Sequence, residues 1–286
     1  MNDIVSYAEC FEYGKKKLSD AGILDAALDA RLLLESVCGT NYSTLLAHGD
    51  RQVTDNEKRA YFERITQREK RIPLAYILGT QEFMGLDFDV SSDVLIPNQD
   101  TETLVEEALG HLFEGMNFLD LCTGSGCIAL SLLKYSNGTR AVATDISEKA
   151  LLIASANAKK LELSDRISFF QNDVLDESAE MSFKGFDLIV SNPPYIRTSV
   201  IPSLEPEVSR SEPYIALDGD EDGLKFYHRI CALAPKLLNR SGYLLMEIGF
   251  DQAEDVAKIM SDNNFKDIEV VKDFGGNDRV LKGWIG

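Results

Sequence analysis

The segment NFLDLCTGSGCIALSLLKYS, residues 117–136, decides the fold class that we expect. It begins with an apolar run typical of a buried strand and ends with apolar residues at helical spacing. Between the two, Gly124, Gly126 and Ala129 match the G-x-G-x-x-G/A pattern of a nucleotide-binding loop. Glycines in such a loop allow the backbone to approach a ligand closely. The segment therefore predicts a strand, a binding loop and a helix at the start of an α/β domain.

Further strands and helices alternate after this segment. Alternation of this kind predicts a doubly wound, mostly parallel sheet. A long loop follows the fourth strand, and the last two strands should pair antiparallel because only the short turn Gly275–Asn277 joins them. Seven strands are expected, with the sequences NFLDLCT, RAVATDIS, ISFFQNDV, GFDLIVSNPPY, GYLLMEIG, DIEVVKDF and DRVLKGWI.

The part of the chain before residue 80 has a different pattern. Apolar residues recur there at helical spacing, which predicts helices only. QEFMGLDFDV and SDVLIP are short, alternating and strand-like, so a hairpin or linker is expected next. We divide the chain into an all-helical domain (1–75), a linking β-hairpin (76–97) and an α/β domain (98–286).

Charge and composition narrow the classes of function. The net charge is −18, of which residues 76–286 carry −17 and residues 1–75 carry −1. Such a surface repels phosphate backbones, which argues against nucleic acid as the direct substrate. Five cysteines without a CxxC pair indicate a reduced, cytoplasmic protein, and three scattered histidines indicate no metal site. The sequence contains no run of about 18 apolar residues, so no membrane span is expected.

Two acidic residues follow strands next to the glycine loop. Asp145 comes about twenty residues after the loop, at the end of the second strand, where a carboxylate can bind two ribose hydroxyls. Asp173 ends the third strand, where it could bind an adenine amino group. The loop and the acid together are compatible with NAD, FAD or S-adenosylmethionine, and a tight turn without a ligand remains an alternative.

The fourth strand ends in SNPPYI, residues 191–196. Prolines end a strand because they lack the N–H donor of the ladder, and they leave carbonyl oxygens without partners. The carbonyls of Asn192 and Pro193 could accept both hydrogens of a planar NH2 group, and Tyr195 could stack on that group. Holding these hydrogens would localise the nitrogen lone pair toward an electrophile. The alternative is a purely structural turn.

With these motifs the chain resembles class I S-adenosylmethionine-dependent methyltransferases that act on NH2 groups. More narrowly, it is similar to the HemK/PrmC family, the peptide chain release factor N5-glutamine methyltransferases. The similarity covers nearly the whole chain and includes PLAYILGTQEFMGLDFDVSSDVLIP, DLCTGSG, SNPPYI, EPYIALDGDEDGL and GGNDRVL. It implies a Rossmann-like fold and methylation of the glutamine amide in the Gly-Gly-Gln motif of release factors. It also implies that the helical domain docks this protein substrate.

The resemblance also implies the roles of individual residues. The S-adenosylmethionine site would comprise Cys122, Thr123, Gly124, Ser125, Gly126, Asp145, Asp173, Val174 and Asn192. The substrate amide would be held by Asn192, Pro193, Pro194 and Tyr195.

The sequence departs from the family pattern in two places. Cys122 stands where the family usually has glycine, and Asn98 and Gln99 interrupt its Pro-Arg-Pro-Glu-Thr-Glu motif, so that one arginine is missing.

Two other functions are compatible with parts of the sequence. A nucleic-acid N-methyltransferase would use the same NPPY loop, and a nicotinamide-dependent oxidoreductase or a non-catalytic nucleotide-binding module would use the glycine loop alone. For the proposed protein substrate, we expect an acidic catalytic surface and a locally basic helix that carries Lys58, Arg59, Arg64 and Arg68.

Overall fold

The computed structural model describes residues 5–176 and 183–286 of the 286-residue chain. The chain forms two compact units. The helical unit comprises Met1–Gly79 together with Glu205–Ser211, and the sheet unit comprises Thr80–Leu204 together with Glu212–Gly286. The helical unit is therefore not continuous in sequence.

The elements follow one another in an order close to the one expected. Within the described residues the helices are α1 (Tyr7–Asp20), α2 (Ala26–Cys38), α3 (Tyr42–Ala47), α4 (Asp55–Glu69), α5 (Leu74–Leu78), α6 (Gln99–Leu109), α7 (Cys127–Tyr135), α8 (Glu148–Lys160), α9 (Pro206–Ser211), α10 (Tyr214–Leu217), α11 (Lys225–Leu237) and α12 (Ala253–Asp262). The strands are β1 (Thr80–Phe83), β2 (Leu86–Asp89), β3 (Asn117–Leu121), β4 (Arg140–Asp145), β5 (Ile167–Gln171), β6 (Phe186–Ser191), β7 (Leu238–Glu247), β8 (Lys266–Lys272) and β9 (Asp278–Trp284).

The main sheet has seven strands in the order β5-β4-β3-β6-β7-β9-β8. Strands β3 to β7 run parallel, and β9 runs antiparallel to both β7 and β8. The expected doubly wound, mostly parallel seven-stranded sheet is confirmed. Because β3 lies between β4 and β6, the loops that leave the carboxyl ends of these three strands emerge side by side.

Apolar side chains cover both faces of this sheet. Neighbouring residues of a strand point to opposite faces, so Phe118 packs in one cluster and Leu119 in the other. Leu188 and Ile189 of β6 divide between the two clusters in the same way. Both faces are therefore covered by apolar side chains, as is usual for parallel strands.

The expected hairpin is confirmed as β1 and β2, which pair antiparallel within the sheet unit. Its buried Phe83 and Phe88 meet with ring centroids 6.1 Å apart. The backbone N–H of Asp89 donates to Asn157 Oδ1 of α8 at 2.7 Å. The strand-like pattern of residues 92–97 (SDVLIP) was misleading, because this stretch has no strand partner and forms a loop.

The helical unit is built around α1, α2 and α4. Its cluster of buried side chains includes Leu18, Leu33 and Ile65. The hydroxyl of Tyr61 donates to the Ala30 carbonyl at 3.2 Å and occupies the space that a Cβ at Gly14 would need. A larger residue than glycine is therefore excluded at this position of α1.

One residue of the predicted basic helix is not at the surface. Arg68 of α4 is buried, and its guanidinium binds Asp29 Oδ2 at 2.7 Å and Glu207 Oε1 of α9 at 2.8 Å. The expectation that Arg68 belongs to an exposed basic patch is wrong, because two carboxylates of the same unit already neutralise it. No helix among the described residues is both long enough and apolar enough to cross a membrane.

Candidate active site

The glycine loop joins β3 to α7 through backbone angles that favour glycine. Gly124 has a φ of +55°, and a Cβ built there would meet no atom within 4 Å. Gly126 has a φ of +80°, and its Cβ would lie 3.2 Å from the Cβ of Ala154 on α8. The first glycine therefore leaves open space beside the backbone, whereas the second allows α7 and α8 to pack closely.

Asp145 ends β4 directly beside this loop. Its Oδ2 accepts the backbone N–H of Gly124 at 2.9 Å, and its Oδ1 accepts that of Ser147 at 2.9 Å. Burial raises the pKa of Asp145 above its ordinary value, and backbone N–H groups, foremost those of Ser147 and Gly124, oppose that rise. Each carboxylate oxygen keeps a lone pair that can accept a hydrogen bond from a ligand.

Asp173 and Val174 follow β5 on the adjacent strand end. Asp173 Oδ1 accepts the backbone N–H of Leu175 at 2.9 Å, and Arg229 Nε of α11 donates to the Val174 carbonyl at 2.9 Å. These two bonds fix the turn after β5, with the side chain of Val174 buried.

A cavity lies over these strand ends, entirely within the sheet unit, and we call it the strand-end cavity. The predicted site residues that line it are Cys122, Gly124, Asp145, Asp173, Val174, Asn192 and Pro194. Of the other predicted site residues, Thr123, Ser125, Gly126, Pro193 and Tyr195 do not line it. The hydroxyl of Thr123 instead donates to buried Asp120 at 2.6 Å, which supports the loop from below.

Two lining segments were missed as site residues. The loop after β2 contributes Asp93, Val94 and Leu95, and the segment around α10 contributes Pro213, Ile215 and Ala216. Both segments lie within motifs that carry the resemblance, but neither has a nucleotide-binding or catalytic pattern that would mark it as part of a site. Glu212 connects the two, because its carboxylate accepts the backbone N–H of Ile96 at 3.4 Å.

The asparagine-proline loop leaves β6 next to β3. Asn192 Nδ2 donates to the hydroxyl of Thr101, in the first turn of α6, at 3.2 Å. The Pro193 carbonyl receives no hydrogen bond from the described residues. The loop is held further on, where Gln252 Nε2 donates to the Tyr195 carbonyl at 3.0 Å and Ile196 N–H to the Leu217 carbonyl at 3.0 Å.

A buried carboxyl group lies under the loop. The hydroxyl of Tyr195 donates to Glu247 Oε1 of β7 at 3.1 Å, while Glu247 Oε2 has no hydrogen-bond partner within the described residues. Burial raises the pKa of Glu247 to about 7, although the Thr101 hydroxyl, Arg279 and Tyr195 each lower it. Tyr195 thus directs its hydroxyl into the protein interior, so the proposed stacking of its ring on a substrate stays a prediction.

Comparison with known proteins decides the family. Residues 9–79 match the family model of the PrmC N-terminal domain, and residues 83–203 match that of the methyltransferase small domain. The chain is 41% identical over 256 residues to a release factor glutamine methyltransferase of Clostridium acetobutylicum, which covers 88% of this chain and 89% of that protein. It is 39% identical over 284 residues to the enzyme of the same name from Geobacter sulfurreducens, covering 99% and 98%. The chain belongs to the release factor glutamine methyltransferases.

A solved structure agrees with this fold. A methyltransferase from Pyrococcus furiosus superimposes with a TM-score of 0.54 at 17% identity and covers 71% of this chain and 91% of that one. At this identity the similarity shows the fold alone.

The two departures from the family pattern lie in defined local structures of this methyltransferase. Cys122 adopts a φ of +60°, in the left-handed region where glycine is usual. Loss of hydration, and then the charges of Asp145 and Asp120, raise the pKa of the Cys122 thiol, which keeps it neutral. Asn98 is the N-cap of α6, and its side-chain oxygen accepts the backbone N–H of Thr101 at 3.1 Å.

Histidine, cysteine and carboxylate side chains do not gather into a metal site. Over residues 5–176 and 183–286, no group of three or more such side chains could hold a metal ion.

Proposed function

We propose that this methyltransferase transfers a methyl group from S-adenosylmethionine to the side-chain amide nitrogen of the glutamine in the Gly-Gly-Gln motif of peptide chain release factors. One observation carries the proposal: the strand-end cavity is lined both by the carboxylate of Asp145 and by Asn192 and Pro194 of the asparagine-proline loop. The names of the relatives that are 41% and 39% identical supply the substrate class. Because release factors act on ribosomes, the same proposal places the protein in the cytoplasm.

The residues of the cavity fit S-adenosylmethionine. The two carboxylate oxygens of Asp145 each receive one backbone N–H and can each accept one ribose hydroxyl. Asp173 uses Oδ1 for Leu175 N–H, which leaves Oδ2 for the adenine amino group. The open space beside Gly124 allows close approach of the ligand to the backbone, with Cys122 next to it. Thr123, Ser125 and Gly126 would act by fixing the shape of this loop.

The cofactor would supply an electrophilic methyl group whose bonding electron pair leaves with the positively charged sulfur as a neutral thioether. The protein therefore has to make a poor nucleophile reactive, because the lone pair of an amide nitrogen is delocalised. Asn192 Oδ1 would accept one N–H of the substrate amide, and the Pro193 carbonyl, which receives no hydrogen bond from the described residues, would accept the other. Holding both hydrogens favours the localised lone pair of the transition state. The nitrogen then loses one proton to water, and Pro194 keeps the loop rigid.

The substrate-binding residue is tested with Asn192→Ala. We expect turnover to fall by about 100-fold, the lower range for removing one oriented contact to a transition state. Affinity for S-adenosylmethionine, measured by calorimetry, should stay nearly the same. Asn192→Asp retains an acceptor oxygen and should lose less turnover. Near-normal turnover of Asn192→Ala would show that the loop is structural and would overturn the assignment.

The substrate class is tested with labelled S-adenosylmethionine. We expect label in a purified release factor and none in the same factor with the Gly-Gly-Gln glutamine replaced by alanine. Label in DNA or RNA at equal concentration, with none in the factor, would instead indicate a nucleic-acid N-methyltransferase. Equal activity before and after treatment with a chelator is expected, because the proposed transfer uses no metal.

The helical unit is proposed to dock the protein substrate. After the exclusion of Arg68, the basic residues of α4 that remain are Lys58, Arg59 and Arg64, and Arg64 donates to the Ser36 hydroxyl. We expect the double variant Lys58→Glu, Arg59→Glu to slow methylation of a whole release factor, with little effect on a short peptide that carries the glutamine.

The docking experiment has a matched control. The double variant Lys15→Glu, Lys16→Glu makes the same change of charge at exposed positions of α1 in the same unit and should affect methylation of neither substrate. Equal losses for factor and peptide in the double variant would mean a general defect, and no loss for either would refute docking by this surface.

A further inference from the structure

Below Asn192, at the start of α6, lies a short chain of hydrogen bonds that the proposed mechanism does not use. Asn192 Nδ2 donates to Thr101 Oγ1 at 3.2 Å. Asn98 Oδ1 accepts both from the backbone N–H of Thr101 at 3.1 Å and from its hydroxyl at 3.3 Å. Thr101 is only 3% exposed, so bulk water does not compete for its hydroxyl.

The direction of these bonds follows from counting protons. A threonine hydroxyl carries one hydrogen and two lone pairs. One acceptor faces the Thr101 hydroxyl, Asn98 Oδ1, at 3.3 Å. With its hydrogen donated to Asn98 Oδ1, Thr101 Oγ1 is left as an acceptor toward Asn192.

The hydroxyl's bond to Asn98 and its bond from Asn192 together set the orientation of the Asn192 amide. The two ends of an asparagine amide have nearly the same shape, and their hydrogen-bond partners decide which end points where. With Nδ2 bound to an acceptor on one side, Oδ1 points the other way. A reversed amide would present two donors to a substrate NH2 group that itself has only donors to offer.

We propose that Thr101 is a positioning residue, supported by Asn98, which orients the Asn192 amide so that its oxygen faces the strand-end cavity. The inference rests on the proposed function, because it assumes that Asn192 Oδ1 accepts a substrate N–H. It gives Asn98, which stands where the family usually has arginine, two tasks: it caps α6 and it accepts from the Thr101 side chain.

Thr101→Val tests the inference, because valine keeps the shape and removes the acceptor. We expect about a tenfold fall in kcat, as for one misplaced hydrogen bond in the transition state. The KM for S-adenosylmethionine should not change. Thr101→Ser, which keeps the hydroxyl, should recover most of the activity. A role of Thr101 in packing alone predicts the opposite pattern, with Thr101→Val close to wild type and Thr101→Ser impaired.

A double-mutant cycle separates this inference from the proposed function. In an Asn192→Ala background, Thr101→Val should have no further effect on kcat, because the group that it positions is gone. Equal fold losses in the two backgrounds would overturn the inference. If Asn192→Ala itself kept normal turnover, the proposed function would fail first; if it lost turnover while Thr101→Val did not, only the positioning role would fail.

Folding of the variants is checked with Trp284, the single tryptophan of the chain, which lies in β9 of the same unit. If Thr101→Val does not fold, Thr101→Ala removes the same acceptor with less steric change. We expect Thr101→Ala to show the same kcat loss and the same absence of further effect in the Asn192→Ala background.

Discussion

The variant Glu247→Gln tests whether the buried carboxyl group of Glu247 is protonated in the folded protein. Burial raises the pKa of this carboxyl from an ordinary value of 4.5 to about 7. Between these two values the folded protein binds a proton that the unfolded chain has already released. Stability therefore falls as the pH rises through this window, and the whole shift is equivalent to about 3 kcal/mol.

Glutamine has the shape of the carboxyl group and does not titrate. Its oxygen can still accept from the Tyr195 hydroxyl, as the carboxyl does. We therefore expect the free energy of unfolding of Glu247→Gln to rise by about 2–3 kcal/mol relative to that of wild type when the pH is raised from 5 to 8.

The assay is urea denaturation at both pH values, followed by the fluorescence of Trp284 in the sheet unit. Glu106→Gln is the matched control, because it removes the same formal charge from an exposed position on α6. The stability of this control should change with pH by the same amount as that of wild type. If the stability of Glu247→Gln also changed with pH by the same amount as that of wild type, the idea that this carboxyl is protonated in the folded protein near neutral pH would be refuted.

Three further outcomes are expected. Gly126→Ala should destabilise the sheet unit more than Gly124→Ala in the same urea assay, since both adopt positive φ but only the Cβ at residue 126 is crowded, at 3.2 Å from Ala154; equal losses would contradict the packing role. Asp145→Ala should weaken S-adenosylmethionine binding by about 1–3 kcal/mol in calorimetry, and unchanged affinity would remove the ribose assignment. Arg68→Met should destabilise the helical unit by about 3–5 kcal/mol, because it leaves buried Asp29 unpaired. The assay is thermal unfolding followed by circular dichroism, with exposed Arg59→Met as the control. Similar losses of stability in both variants would refute the burial argument.

The sheet could be predicted because its signals are local. Each parallel strand is a short apolar run followed by a turn and a helical pattern, and residues 117–136 contain all three. The turn Gly275–Asn277 likewise indicates an antiparallel pair from a few adjacent residues. Patterns of this kind depend on neighbours in sequence, so the fold class could be inferred before any contact was known.

The support of the active site could not be predicted in this way. Asn192 and Thr101 are 91 residues apart in the chain, and Tyr195 and Glu247 are 52 apart. Neither pair has a sequence spacing that indicates a contact, since the packing of α6 against β6 and β7 and the order of the strands bring these residues together. A threonine at the start of a helix and a glutamate at the end of a strand suggest an exposed cap and a solvated acid, whereas both are buried.

The loop predicted after β6 shows a second limit. Residues 201–217 contain a 3-10 helix and the short helices α9 and α10, none of which is long enough to show a clear apolar period. Charge was equally misleading for Arg68. Its basic character suggested part of a surface that meets the protein substrate, and only the distant Asp29 and Glu207 explain its burial.

The helical unit takes one helix, α9, from more than a hundred residues further along the chain. Genetic exchange between family members therefore cannot move this unit as one uninterrupted block. A chimera that replaced only residues 1–79 would place the α4 of another protein beside Glu207 of this one. If that α4 had no basic residue at the position of Arg68, Glu207 would lose this ion pair. Functional chimeras should instead require the exchange of two segments, residues 1–79 and residues 205–211.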